Sequence, residues 1–173
     1  KKVKEIGLWT TIINFCLSLI LLYSFDKTEI QFQFVENFKL INDLNIYYYL
    51  GIDGISLSFI LLTTLLIPIC IVISWTKINE HIGYFIASFL IIESFLIGLF
   101  SSLDLFIFFI FFEGSLIPLF LIIGIWGGKN RVYASYKFFL YTIFGSLLML
   151  LGILTLYFYS GTSNLTLLMK TDI

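Results

Sequence analysis

Long apolar runs alternate with short polar stretches along this chain, and the runs have the length of a bilayer crossing. A membrane-spanning helix needs about 20 mostly apolar residues. Five segments qualify: 6–25, 55–75, 82–100, 105–126 and 138–159. Backbone groups in hydrocarbon must bond within their own segment, so each is predicted to be helical despite its many β-branched and aromatic residues. The links 76–81, 101–104 and 127–137 are tight, so neighbouring helices should run antiparallel and pack together. Residues 26–54 form the one long polar loop. Within it Ile30-Gln31-Phe32-Gln33-Phe34 alternates with period two, which predicts a strand. Residues 45–49 are its expected hairpin partner. The pattern gives an all-α integral membrane fold of about five transmembrane helices, one membrane domain over 1–173.

Composition agrees with this pattern. The chain is 60% hydrophobic and 12% charged, against roughly 45–50% and about 25% in soluble domains. The apolar excess must face lipid. A net charge of −1, with no basic stripe and no Gly-rich phosphate loop, gives no support for a nucleic-acid partner. Cys16 and Cys70 lie in apolar runs, and His81 is the single histidine, so metal, disulfide and thiol chemistry have no sequence support. The start, Lys1-Lys2-Val3-Lys4-Glu5, resembles a signal peptide. However, its apolar run is long and no small-x-small cleavage site follows, so a retained helix is expected. The first residue is Lys rather than Met, and a start further upstream is expected. Alanine occurs only at Ala87 and Ala134, arginine only at Arg131 and proline only at Pro68 and Pro118. Phe, Ile, Leu, Tyr, Asn and Lys dominate, and these residues, Leu in part, have AT-rich codons, which suggests an AT-rich organelle gene; a GC-rich coding sequence would overturn that.

Orientation follows from the short-loop lysines and arginines. Lys1, Lys2, Lys4, Lys77, Lys129, Arg131 and Lys137 lie on the N-terminal side, and Lys27, Lys39 and Lys170 lie opposite. The count favours the N-terminal side as the cytoplasmic or matrix side, with the long loop across the membrane. Trp75 and Trp126 end spans on the basic side, as interfacial anchors do.

Glu113 is the residue most able to carry chemistry. It sits in Phe108-Phe109-Ile110-Phe111-Phe112-Glu113, eight residues into its span. An ionised carboxylate near the midplane costs at least ~2.5–3.5 kcal/mol, so it persists only when neutralised, paired or facing water. A group poised between those states suits a proton relay; the alternative is a neutral acid that glues two helices. Pro118 removes a backbone donor and clashes with the carbonyl of Gly114, beside Glu113. That kink either helps to build an internal cavity or only shapes packing. Glu93 is similarly deep on the neighbouring antiparallel span, where the two acids are placed to share a cavity, and it is a second candidate for a proton path. Asp104 is expected at a loop edge within reach of water. Lys137, opening the last span, reads as snorkelling to the interface. Thr142, Gly145, Ser146 and Gly152 read as a helix-packing face. His81 reads as an interfacial loop residue, and Asp53 with Ser56 as helix caps. No Ser/His/Asp set or cofactor cradle is visible, and no lysine or arginine lies at mid-span. If Glu113 needs a cationic partner in the membrane, another chain must supply it.

Three stretches resemble one family. They are Gly51-Ile52-Asp53-Gly54-Ile55-Ser56-Leu57 with Leu62-Thr63-Thr64-Leu65-Leu66-Ile67-Pro68-Ile69-Cys70; Phe111-Phe112-Glu113-Gly114-Ser115-Leu116-Ile117-Pro118 with Ile122-Ile123-Gly124-Ile125-Trp126-Gly127; and Phe138-Phe139-Leu140-Tyr141-Thr142 with Gly145-Ser146. Together they resemble the subunit 4 family of mitochondrial NADH:ubiquinone oxidoreductase (complex I), above all its plant and protist members. The resemblance implies part of an antiporter-like fourteen-helix fold, here its second to sixth helices. It implies a proton-translocating role coupled to electron transfer from NADH to quinone, in the mitochondrial inner membrane, with the start of the first span on the matrix side. Glu113 stands where the family has a glutamate that pairs with a lysine two helices later. That lysine would lie beyond Ile173, in a missing segment or in a second chain. No defined role carries over to Glu93. The resemblance implies no flavin, iron–sulfur cluster or quinone in this chain, with NADH, FMN, iron–sulfur clusters and ubiquinone in partner subunits. Other membrane-arm subunits and the lipid bilayer would be its partners. Two alternatives remain: a subunit of a multisubunit sodium–proton antiporter, and a structural or assembly subunit with no proton path of its own.

Overall fold

The computed structural model describes residues 2–29, 31–41, 46–78 and 80–169. Five long helices carry the fold: α1 Lys2–Ser24, α2 Gly54–Ile73, α3 Ile82–Ser101, α4 Leu105–Trp126 and α5 Arg131–Ser160. All five are long and apolar enough to cross a membrane. Between α1 and α2 lies a hairpin of β1 Gln33–Ile41 and β2 Ile46–Ile52, and a short α6, Leu165–Leu168, follows α5. Helix α3 packs on α1, α2 and α4, and α4 packs on α5. The chain is thus a multi-pass layer of membrane helices with a β-hairpin on one side.

The helices pack on small and polar residues and turn large apolar ones outward. In α1 the buried positions are Gly7, Thr11 and Ser18, while Ile6, Trp9, Ile13, Leu17 and Ile20 are exposed. Lipid tails are as apolar as leucine, so burying leucine between helices gains little there. Close approach and interhelical hydrogen bonds decide the packing instead. Gly7 lies directly against Ile86 of α3, and a Cβ at Gly7 would collide with that side chain. The Ser18 and Thr64 hydroxyls lie 2.8 Å apart and join α1 to α2. At the helix ends, Lys4 donates to the carbonyls of Trp75 (2.6 Å) and Ile78 (2.8 Å), and Trp126 Nε1 donates to the Glu80 carbonyl at 2.9 Å. His81 is exposed in a left-handed turn (φ 51°).

Three details differ from the sequence expectation. The first strand begins at Gln33 rather than Ile30, which lies outside the described residues, as does Asn45. Gln33 pairs through its amide with the backbone of Asp26 (2.9 and 2.6 Å), and Phe34 adopts a left-handed φ of 53°. The pairing with β2 shifts register between Gln33 and Glu36. That bulge breaks the period-two alternation on which the strand was placed. Helix α5 begins at Arg131, ahead of the apolar span at 138, because Ser135 already packs on Gly124 of α4. Lys137 is therefore inside the helix, exposed, over the rings of Tyr133 and Tyr141.

Asp104 is the third difference. It is 1% exposed rather than at a wet loop edge. Its Oδ1 caps α4 by accepting from Phe106 N at 2.9 Å, and its Oδ2 accepts from the buried Ser163 hydroxyl at 2.6 Å. Main-chain bonds Leu105 N to Ser163 O and Leu165 N to Leu103 O complete a clasp between the α3–α4 turn and the segment after α5. Asp104→Ala removes a helix cap and a charge-assisted bond, and leaves the Ser163 hydroxyl buried without its acceptor. The expected cost is about 2–4 kcal/mol, read as a lower thermal midpoint of the assembled protein. Asp53 caps α2 as expected, accepting from Ser56 N at 2.7 Å.

Candidate functional site

The clasp at Asp104 fixes the start of α4, and Glu113 sits eight residues into that helix, about 12 Å along its axis. Pro118 does not break it: α4 runs unbroken from Leu105 to Trp126, with Pro118 buried. Glu113 is half-buried. Its Oε2 is fully enclosed, with no hydrogen-bond partner among the described residues. Burying a carboxyl oxygen without a partner is costly, so this group has chemistry left to satisfy.

Its direction follows from its neighbours. Phe106 packs edge-on against Tyr157 of α5, and Phe120 against Tyr136 and Phe139. These phenylalanines lie seven residues either side of Glu113, and seven residues return to nearly the same helix face. Glu113 therefore occupies the α5-facing stripe of α4. The antiparallel register of those ring pairs sets it level with about 146–150 of α5, where Ser146 is buried. Of the small residues expected to pack there, Gly145 and Gly152 face open space.

Gly114 has a steric task. A Cβ there would come within 2.7 Å of the Phe95 ring of α3, and a Cβ at Gly98 within 2.7 Å of the Phe111 ring of α4. Each helix thus offers a glycine to the other's phenylalanine. This exchange locks α3 to α4 on the turn that carries Glu113.

Glu93 is 1% exposed, and neither of its oxygens has a hydrogen-bond partner among the described residues. It lies eight residues before Ser101, so both acids sit at about the same depth from the α3–α4 turn. They point to different sides of α3. Phe95 and Gly98 mark the α4-facing side of α3, and Glu93 lies about 140–160° round the helix from both. It faces the Asn14 amide of α1 instead. Asn14 belongs to a stripe missed in the sequence, Lys4–Gly7–Thr11–Asn14–Ser18, whose spacings of three and four residues mark one helix face. That periodicity of small and polar residues was the available signal. Among the described residues no group of three or more His, Cys, Asp or Glu side chains is placed to hold a metal ion.

The fold agrees with the comparisons. The transmembrane family described as NADH:quinone oxidoreductase/Mrp antiporter matches residues 102–172, the part that contains Glu113 and the Asp104–Ser163 clasp. Respiratory complex I from Thermus thermophilus contains a chain that superposes with a TM-score of 0.86 at 30% identity, over 98% of this chain and 35% of that one. The Mrp complex from Dietzia sp. DQ12-45-1b shares the fold, with a TM-score of 0.81 at 16% identity over 94% of this chain and 18% of that one. The chain belongs to this family of antiporter-like membrane subunits. Within it, NADH-ubiquinone oxidoreductase chain 4 of Arabidopsis thaliana is 48% identical over 98% of this chain. The chain spans about a third of that relative's length, 34%.

Proposed function

We propose that this chain forms part of a proton-translocating membrane-arm subunit of a respiratory NADH:ubiquinone oxidoreductase, with Glu113 as its protonatable switch. The observation that carries this reading is the Glu113 carboxyl itself: eight residues deep in a membrane helix, with an enclosed and unpartnered Oε2, in a chain 48% identical to a chain 4. The energetics suit a switch. An unpaired charge at this depth costs at least ~2.5–3.5 kcal/mol. A cation arriving about 4 Å away returns about 4 kcal/mol at an effective dielectric constant near 20. The two magnitudes nearly cancel, so the arrival or departure of a lysine decides whether Glu113 is charged. A proton is released when the pair forms and taken up when it parts. Pro118 and Gly114 shape the helix around that group.

In this reading the cation comes from a lysine in the remaining helices, carried by a further segment or by a second chain. NADH, FMN, iron–sulfur clusters and ubiquinone act in partner subunits, and other membrane-arm subunits flank the chain. The membrane is the mitochondrial inner membrane, with the start of α1 on the matrix side. The lysine-rich side of the bundle supports that orientation. The runner-up is a sodium–proton antiporter subunit, favoured by the fold shared with the Mrp complex.

Purification of the native membrane complex that contains this chain tests the proposal. NADH-oxidising subunits and the lysine-bearing helices should be present by peptide mass spectrometry, and NADH should drive proton uptake in reconstituted vesicles. Sodium-driven proton exchange with no NADH-oxidising partner would instead select the antiporter.

A further inference from the structure

A second polar site lies on the other side of α3 from Glu113. Glu93 has two enclosed oxygens without a hydrogen-bond partner among the described residues and faces Asn14. Asn14 also lines a groove of ≈ 520 Å³ between α1, α2 and α3, together with Ser18, Thr64 and Ser94. Pro68 lies four residues beyond Thr64 and has no N–H, so the Thr64 carbonyl lacks its usual helical donor. The groove is thus lined by an amide and three hydroxyls, and the Glu93 carboxyl faces that amide from behind. Among the described residues no cation lies level with them: Lys2 and Lys4 of α1 are at least ten residues before Asn14, about 15 Å along the helix. On the other packed helices, α2 carries Cys70 as its ionisable side chain, and the Glu113 of α4 points toward α5.

Buried polar groups are nearly always hydrogen-bonded, and ordered water does this where the protein does not, given room and two to four polar partners. The groove beside Asn14 supplies the room, and Asn14, Ser18, Thr64 and Ser94 supply the polar partners. We infer that Glu93 and Asn14 bound a hydration site between α1 and α3, in which water bridges the carboxyl to the amide and carries the Glu93 proton to and from the groove. Glu93 without a cation is a neutral acid, because an unpaired charge at this depth is costly. Its O–H donates to water, and a proton leaving by that route is replaced by another along the same bridge. Asn14 stands between the acid and the groove and controls that exchange. The site deepens the proton-translocation reading and rests on it for its purpose, while its hydration stands independently.

The test uses the intact membrane complex, as wild type and as Glu93→Gln. Infrared absorption reads a protonated carboxyl at its C=O stretch, and subtracting the Glu93→Gln spectrum isolates this one. The expected result is loss of one carboxylic acid band, which in the wild type shifts promptly on transfer to D2O. Absence of that band, or a band that does not shift in D2O, would overturn the site. Asn14→Leu should keep the band and slow its exchange; unchanged exchange would remove Asn14 from the bridge. A water-resolving density map of the wild-type complex needs no variant. Water within hydrogen-bond reach of both Glu93 and Asn14 supports the site, and dry side-chain packing there refutes it. Glu113→Gln should leave the Glu93 band in place, so failure of the pumping role and failure of this site are separable.

Discussion

Glu113→Gln is expected to lower NADH-driven proton translocation about tenfold or more, toward the roughly 10²–10⁴ that a positioned proton-transfer group contributes. Electron transfer from NADH to an artificial acceptor should stay near the wild-type rate, because no redox group is proposed in this chain. Glutamine keeps the size and hydrogen-bonding reach of the side chain and removes only its proton exchange. It therefore distinguishes a switch from a glue: a neutral acid that merely joins α4 to α5 would be replaced with little loss. Glu113→Asp should retain part of the activity, since the carboxyl remains but is withdrawn by one methylene from the α5-facing stripe that Phe106 and Phe120 mark. Wild-type translocation in Glu113→Gln would end the proposed role.

Glu113 was legible in the sequence because a charge inside an apolar run has few bland explanations. The five helices were legible for a related reason: hydrocarbon overrides local propensity, so hydropathy alone locates them. What escaped were features set by contacts that the local hydropathy pattern does not show. Asp104 reads as wet because its acceptor role for Ser163 spans a separation of 59 residues. The Glu93 site escaped because Asn14 lies on a helix whose inward face is polar, the reverse of a soluble amphipathic helix. The strand start moved because the bulge at Phe34 is set by a backbone–amide pairing between Gln33 and Asp26, not by side-chain alternation. The shared depth of Glu93 and Glu113 was visible by counting. Their opposite directions were not, until the Phe95–Gly114 and Phe111–Gly98 contacts fixed which side of α3 meets α4.

Those contacts carry the second large expectation. Gly98→Val and Gly114→Val should each destabilise the assembled protein by about 1–3 kcal/mol, the usual cost of overpacking a close contact. A new Cβ at Gly98 meets Phe111 ring atoms at 2.7–2.8 Å, and one at Gly114 meets Phe95 ring atoms from 2.7 Å. Neither ring can swing aside freely, because the two meet edge to face at 6.3 Å, so a ring displaced from one glycine is driven toward the other. The effect should be specific to the pair. Adding Phe111→Ala to Gly98→Val opens the space the valine needs, and the two changes together should cost less than their sum by about 0.5–3 kcal/mol. Thermal midpoints of the four purified complexes, wild type, both single variants and the double variant, measure that coupling. Strict additivity would mean that the ring yields without strain. Gly114→Val has a further consequence, because position 114 itself adjoins Glu113. Pushing α4 away from α3 rotates the carboxyl from its stripe, so proton translocation should fall more in Gly114→Val than in Gly98→Val at equal loss of stability. Equal losses of translocation would show that the glycine beside Glu113 serves packing alone.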